Sequence, residues 1–171
     1  MKRIGLLSDT HHHMDDQILS YLESCDEIWH GGDFGTIAVV KPLLSLGKPL
    51  RGVYGNIDGA DIRSEFPENL VFELEGVKVL MRHIGGYPPR YNPDTKKLLK
   101  EHQPKIFIAG HSHILKIIHD PVIDCLHLNP GAAGHQGWHT LRTMIRFSID
   151  AGNIKDAEVI ELGRRGRGII N

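Results

Sequence analysis

An α/β fold is predicted by the order of segments along the chain. Strand-length apolar runs alternate with stretches of helical spacing, and five of the runs stop at short motifs of Asp, Asn or His. The length of 171 residues suits one domain with a substantial core and leaves little room for two. That domain is expected over residues 1–163, with a short basic tail over 164–171 that carries Arg164, Arg165 and Arg167 as a solvated end.

Lys2 to Leu7 reads as a buried strand that stops at Ser8-Asp9. Ile18, Leu19, Tyr21 and Leu22 then fall at helical spacing behind Asp15-Asp16, whose negative charge suits a helix start. Glu27 to His30 is a second strand, stopping at Gly31-Gly32-Asp33, so the N-terminal segment is a strand-helix-strand unit. Thr36 to Leu46 is a helix closed by Gly47, with Pro42 expected to kink or shorten it. Leu50 to Tyr54 is a third strand, ending at Gly55-Asn56. Leu70 to Leu74 and Val77 to Met81 form a hairpin about Glu75-Gly76, and the second run terminates at His83. Asn92-Pro93-Asp94 opens a helix through His102 that Pro104 stops; Lys105 to Ala109 is a strand ending at Gly110-His111. Leu115 to His119, Asp124 to Leu128, Met144 to Ile149 and Ala157 to Leu162 read as further strands.

Composition narrows the class of function. Charged residues make up 24% and hydrophobic residues 40%, and the formal net charge is -1, so the chain has neither the basic excess of a nucleic-acid binder nor the profile of disorder. The apolar stretch at the N-terminus is too short for a signal-peptide core or a membrane span. Cys25 and Cys125 stand in no C-x-x-C pair, which argues against a disulfide framework and a thiolate zinc site and makes the cytoplasm the expected compartment. Twelve histidines are the unusual feature, several of them at the ends of apolar runs. Histidine is the commonest metal ligand.

The five strand ends carry Asp9-x-His11, Gly32-Asp33, Gly55-Asn56, His83 and Gly110-His111-x-His113. In open α/β sheets that edge is where ligands bind. Each motif alone has an ordinary reading: Asp9 as a cap, Asn56 as a turn residue, His83 as a satisfied core histidine. Together they supply four histidines, two carboxylates and an amide, the donor set two divalent ions need when one carboxylate bridges them. Oxygen and imidazole donors without thiolate suit Mn, Fe, Zn, Co or Ni, and residue types alone do not choose among them. Manganese is taken as the first expectation.

Taken in order, D-x-H, G-D, G-N, H and G-H-x-H resemble the signature of the calcineurin-like metallophosphoesterases. Ser8-Asp9-Thr10-His11, His30-Gly31-Gly32-Asp33, Gly110-His111-Ser112-His113 and Asn129-Pro130-Gly131 resemble more narrowly the small bacterial and archaeal phosphodiesterase branch named after YfcE. The likeness runs from Lys2 to Gly134. It implies a fold of two mixed β-sheets packed as a sandwich with helices on the outer faces. It further implies that Asp9, His11 and His113 hold one metal, that Asn56, His83 and His111 hold the second, and that Asp33 bridges both. The implied reaction is hydrolysis of a small or nucleotide-like phosphodiester by a hydroxide shared between the ions.

One departure matters. Many members of the superfamily read Gly-Asn-His-Asp, with the histidine protonating the leaving oxygen, whereas this chain reads Gly55-Asn56-Ile57-Asp58. General-acid help, commonly worth about a hundred-fold to ten-thousand-fold, must then come from elsewhere or be absent. By resemblance, this favours diesters, or esters with good leaving groups, over alkyl monoesters. His12, His13, His135 and His139 are the candidate substitutes; His30 is read as a neighbour of the site, and His102, His119 and His127 receive no role. Arg82, Tyr87 and Arg90, in or just after the His83 segment, could face a substrate phosphate or base, with solvent exposure the default expectation; Pro88-Pro89 is read as a rigid loop, and as one wall of the cleft if it borders the metals. Two other readings are weighed: a protein-interaction scaffold that kept the fold, as the retromer subunit of the superfamily does, and a nuclease. The full ligand set argues against the first and the near-neutral charge against the second. No membrane partner is expected, and homo-oligomer formation is left open.

Overall fold

The computed structural model describes residues 1–166; residues 167–171, the end of the expected basic tail, lie outside the described residues. The elements run β1 (Lys2–Leu7), α1 (Asp16–Leu22), β2 (Glu27–His30), α2 (Ile37–Ser45), β3 (Leu50–Gly52), α3 (Ala60–Arg63), β4 (Asn69–Leu74), β5 (Val77–Arg82), β6 (Gly86–Tyr87), β7 (Arg90–Tyr91), α4 (Pro93–His102), β8 (Ile106–Ile108), β9 (Lys116–Asp120), β10 (Cys125–Asn129), β11 (Leu141–Asp150) and β12 (Asn153–Arg164).

Two five-stranded sheets result, in the orders β12-β11-β1-β2-β3 and β4-β5-β8-β10-β9. Both are mixed: β1, β2 and β3 are parallel with β11 antiparallel beside them, and β5, β8 and β10 are parallel with antiparallel neighbours at each edge. The alternation of side chains along each strand decides what is buried where. Ile4, Leu6, Trp29 and Phe147 of the first sheet face Val79, Met81, Ile108 and Leu128 of the second and form the middle of the sandwich. Leu7 and Ile28 point the other way, onto Ile18 and Leu22 of α1 and Val40 and Leu43 of α2. Leu80 and Phe107 pack outward with Leu99 of α4. The helices therefore cover the outer faces. Each fully buried large side chain contributes about 1.5–3 kcal/mol to this arrangement.

Local chemistry sets the helix ends. Asp15 caps α1 by accepting the backbone N–H of Ile18 at 2.9 Å, and α4 opens with Pro93 in its first turn and closes on Gln103 in a left-handed conformation (φ 48°) just before Pro104. α2 passes through Pro42 and ends at Ser45, so the proline removes one backbone donor without ending the helix there. Gly5 lies where a Cβ would collide with the Leu22 side chain, which lets α1 sit close on β1.

Two expectations need correction. The segment read as a rigid loop at Pro88-Pro89 is the turn of a two-stranded hairpin, in which Gly86 pairs with Tyr91 and Tyr87 with Arg90. The strand expected to stop at Leu162 runs to Arg164, which pairs with Leu141, and Arg165 donates its backbone N–H to Thr140 O at 3.0 Å and its Nε–H to His139 O at 2.8 Å. The start of the expected solvated tail is thus held against the body of the domain by hydrogen bonds the spacing of apolar residues does not reveal.

The candidate metal centre

The parallel strands of both sheets send their carboxyl ends to one edge, and there the loops are laced together. Asp9 N donates to Gly32 O at 2.9 Å, His11 N to Asp33 O at 3.0 Å and Gly110 N to His83 O at 3.0 Å. Asp9, His11, Asp33, His111 and His113 all have positive φ, between 44° and 70°. Left-handed backbone at non-glycine residues costs of order 1–3 kcal/mol each and persists where surrounding contacts over-determine it, which is typical of functional sites. A Cβ on Gly55 would collide with the Asp33 carboxylate, and one on Gly110 with Ser8 and Asp9, so these two loops close only with glycine.

All seven side chains singled out as ligands come together. The donor atoms of Asp9, His11 and His113 lie within 4.8 Å of one another, and so do those of Asp33, His83 and His111. Asn56 joins the second group through His111, whose Nδ1 faces Asn56 Oδ1 at 3.0 Å. Each carboxylate is held from behind and aimed forward. Asp9 Oδ2 accepts from Ser8 Oγ at 2.7 Å and from His111 N at 3.1 Å, while Asp33 Oδ1 accepts from Ile57 N at 3.0 Å. The forward oxygens meet imidazole nitrogens: Asp9 Oδ1 lies 3.1 Å from His113 Nε2 and 3.8 Å from both His11 Nε2 and His83 Nε2. Asp33 Oδ2 lies 3.1 Å from His83 Nε2 and 3.3 Å from His11 Nε2.

Distance is not matched by alignment. Among the described residues, Asp9 Oδ1, His11 Nε2 and His83 Nε2 are buried without a hydrogen-bond partner, as is His11 Nδ1. Such atoms are destabilising unless something else satisfies them. A carboxylate oxygen and imidazole nitrogens that converge without bonding one another are the donor set of a divalent cation, so the residues fit the ions the motif implies. The supporting contacts agree. His83 Nδ1–H donates to Gly31 O at 2.7 Å, which leaves Nε2 as the ring nitrogen that faces the carboxylates and could ligate an ion.

The charges are strongly coupled. Burial works against the ionised form of Asp9 and Asp33, but the imidazoles beside them prevail and hold both carboxyls well below the usual range. Burial likewise opposes a proton on His11, yet Asp33 and Asp9 push its pKa up to about 9. His111 moves down, through burial and the neighbouring His83. Without metal, the carboxylates therefore retain protons on the imidazoles, and a cation takes the place of those protons.

His30 is a neighbour of the centre and not one of its donors. It is fully buried, stacks on Phe34 with ring centroids 3.6 Å apart, and burial drops its pKa to about 3. Its Nδ1 accepts from Gly32 N at 3.1 Å, so Nε2 carries the proton and donates to Thr10 Oγ1 at 3.0 Å. Asp58, which the sequence reading passed over, clamps two loops at once: its carboxylate accepts the N–H groups of Phe34 (3.3 Å), Gly35 (2.8 Å) and Gly55 (2.8 Å). Its place two residues after Asn56 was the available signal.

The four histidines proposed to replace the missing acid part company. His13 Nε2 is bonded to Asp15 Oδ2 at 2.7 Å, and Asp15 also takes Arg142 at 3.0 Å. His135 is bonded to Arg165 O and sits edge-to-face on His13. His139 bonds Gly134 O and His113. Only His12 is exposed with no hydrogen bond from its ring among the described residues. Arg82, expected in solvent, is instead largely covered and donates to Asn69 Oδ1 at 2.7 Å and Ile84 O at 3.1 Å, tying β5 to β4.

Known proteins resemble this chain in sequence and in fold. The profile of the calcineurin-like phosphoesterase superfamily domain matches residues 1–152. A probable metallophosphoesterase of Methanothermobacter thermautotrophicus is 28% identical over 167 residues, covering 94% of this chain and 92% of its own. A phosphodiesterase of Methanocaldococcus jannaschii is 26% identical over 145 residues, covering 75% and 82%. Among solved structures, an archaeal phosphodiesterase superposes with a TM-score of 0.76 at 23% identity, covering 94% of this chain and 99% of that one. Vps29 of Entamoeba histolytica, solved with zinc, superposes with a TM-score of 0.70 at 17% identity, covering 93% and 98%. These last two likenesses concern the fold alone. With the family profile spanning most of its length, the chain belongs to the calcineurin-like phosphoesterase superfamily.

Proposed function

We propose that the chain hydrolyses small phosphodiesters with the help of two divalent ions, manganese first among them. The observation that carries this reading is the set of buried, unbonded atoms Asp9 Oδ1, His11 Nε2 and His83 Nε2, gathered about the Asp33 carboxylate. Asp9, His11 and His113 would hold one ion, Asn56, His83 and His111 the other, with Asp33 shared. A bound pair supplies an acidified water as nucleophile and neutralises charge on the phosphoryl oxygens.

The protein's own contribution is placement. Ser8 and the His111 amide fix the back of Asp9, the Ile57 amide fixes the back of Asp33, and the Gly31 carbonyl fixes the tautomer of His83. Asp58 keeps the loops that carry Asp33 and Asn56 in register. Ile57 has no proton to give, which favours esters whose leaving group departs unaided; among the described residues, His12 is the candidate histidine whose ring makes no hydrogen bond and is exposed. Cys25 and Cys125 are buried free thiols, in keeping with a reducing cytoplasm.

The test is hydrolysis of aryl phosphodiester and aryl phosphomonoester substrates by the metal-depleted chain after each metal is restored. The reading predicts metal-dependent cleavage with the diester preferred. Cleavage of neither ester under any metal would remove it and leave the scaffold reading that the Vps29 likeness raises.

A further inference from the structure

Beside the metal centre, the hairpin of β6 and β7 stands across a cleft of about 300 Å³ from the start of β9. Its lining includes His111 and Ser112 from the metal-centre loop and Tyr87, Arg90 and Lys116 from the hairpin and β9. Its size is at the lower end of the range usual for small-molecule sites, about 300–1,000 Å³.

The hairpin is firmly held. Tyr91 donates its hydroxyl to Asp120 Oδ2 at 2.8 Å, and Asn92 Nδ2 donates to Ile84 O at 2.9 Å. A Cβ on Gly85 would collide with the Phe107 ring, so the strand end leading into the hairpin packs against β8 as only glycine can. Lys116 Nζ reaches over the Tyr87 ring, 3.1 Å from its centroid, so that cation is fixed at the wall of the cleft. Arg82, the last residue of β5, has carboxylates and an amide oxygen around it, whereas Arg90 and Lys116 have no carboxylate within ion-pair distance among the described residues. Two cations without acidic partners among the described residues line one cleft on a chain of net charge -1, which suits a local anion site and not a general basic surface.

We propose that this cleft is a substrate subsite for a second phosphate. Resting on the phosphoesterase reading, the proposal names the substrate class as phosphodiesters whose alcohol arm carries a further phosphate, such as a nucleotide phosphorylated on its ribose. The scissile phosphorus sits at the metal centre, the arm passes His111, and Arg90 and Lys116 bind the terminal phosphate.

The test is equilibrium binding to the full, manganese-loaded chain, comparing adenosine 3′,5′-bisphosphate with adenosine 5′-monophosphate. The bisphosphate is expected to bind about ten-fold tighter or more, corresponding to the charge-assisted hydrogen bonds to one added phosphate. Lys116→Met, which keeps the aliphatic stem on a strand whose pairing is through backbone, should erase most of that preference. Arg90→Gln combined with it should bring the two ligands within about two-fold. Lys100→Ala, on the exposed surface of α4, should leave the preference in place. Equal affinity in the wild type, persistence of the preference in the double variant, or its equal loss in Lys100→Ala would each overturn the proposal. Because binding needs no turnover, a preference without ester cleavage would sink the phosphoesterase reading and spare the subsite, and cleavage without a preference would do the reverse.

Discussion

His113 Nδ1 lies 3.3 Å from His139 Nδ1, and the other nitrogen of His139, Nε2, is 2.9 Å from the carbonyl oxygen of Gly134. A carbonyl can only accept, so His139 carries its proton on Nε2 and Nδ1 is an acceptor. His113 must therefore donate from Nδ1, which turns its Nε2 lone pair toward Asp9 Oδ1, 3.1 Å away. His139, counted from the sequence among the proton donors, has its ring hydrogen already committed and acts instead by fixing the tautomer of a ligand. Replacing it by Phe should weaken loading of the ion at Asp9, His11 and His113 by about 10–100-fold, with Gln, which keeps an acceptor, in between. Metal titration calorimetry on the three proteins measures this.

Asp58 accepts three backbone N–H groups and is almost fully buried. Asp58→Ala strands those donors, and the expected destabilisation is about 3 kcal/mol or more. Urea unfolding of the metal-depleted protein reads it directly; a loss below about 0.5 kcal/mol would show that water replaces the carboxylate.

His127 is buried in β10, donates Nδ1–H to Phe107 O at 3.2 Å, and burial holds its pKa down at about 4. The unfolded chain, with an ordinary histidine pKa near 6.5, takes up the proton first as the pH falls. Stability is therefore complete above about pH 6.5 and is lost progressively toward pH 4, by about 3 kcal/mol. The difference in unfolding free energy between pH 7.5 and pH 4.5 should shrink by a comparable amount in His127→Gln. An unchanged difference would mean that His127 titrates normally in the folded state.

With Ile57 unable to protonate a leaving group, the hydrolysis rate should fall steeply as the leaving alcohol becomes more basic. His12→Ala should leave p-nitrophenyl esters within about two-fold of wild type and slow an alkyl leaving group by about a hundred-fold, if His12 supplies the proton. A parallel loss on both substrates would assign His12 to holding the loop, where it packs against Gly35.

Much of this was legible in the sequence because strand ends announce themselves. The runs before Asp9, Asp33, Asn56, His83 and His111 all became strands or strand extensions, since apolar runs of strand length that stop at polar or glycine-containing loops leave few other options. Arg82, Asp58 and His139 were misread or missed for a common reason: their partners, Asn69, Gly35 and His113, lie 13, 23 and 26 positions away, and no local pattern marks a hydrogen bond across such distances. The β6–β7 hairpin escaped because each strand is two residues long and its turn is Pro88-Pro89, which reads as a breaker. Its closeness to His111 exists only in three dimensions.

The central claim is that two cations share Asp33. Titrating the metal-depleted chain with Mn(II), then counting retained ions by mass spectrometry after desalting, tests it most directly. The account predicts two ions per chain for wild type and one or none for Asp33→Ala. Fewer than two in the wild type, or two in Asp33→Ala held as tightly as before, would contradict it.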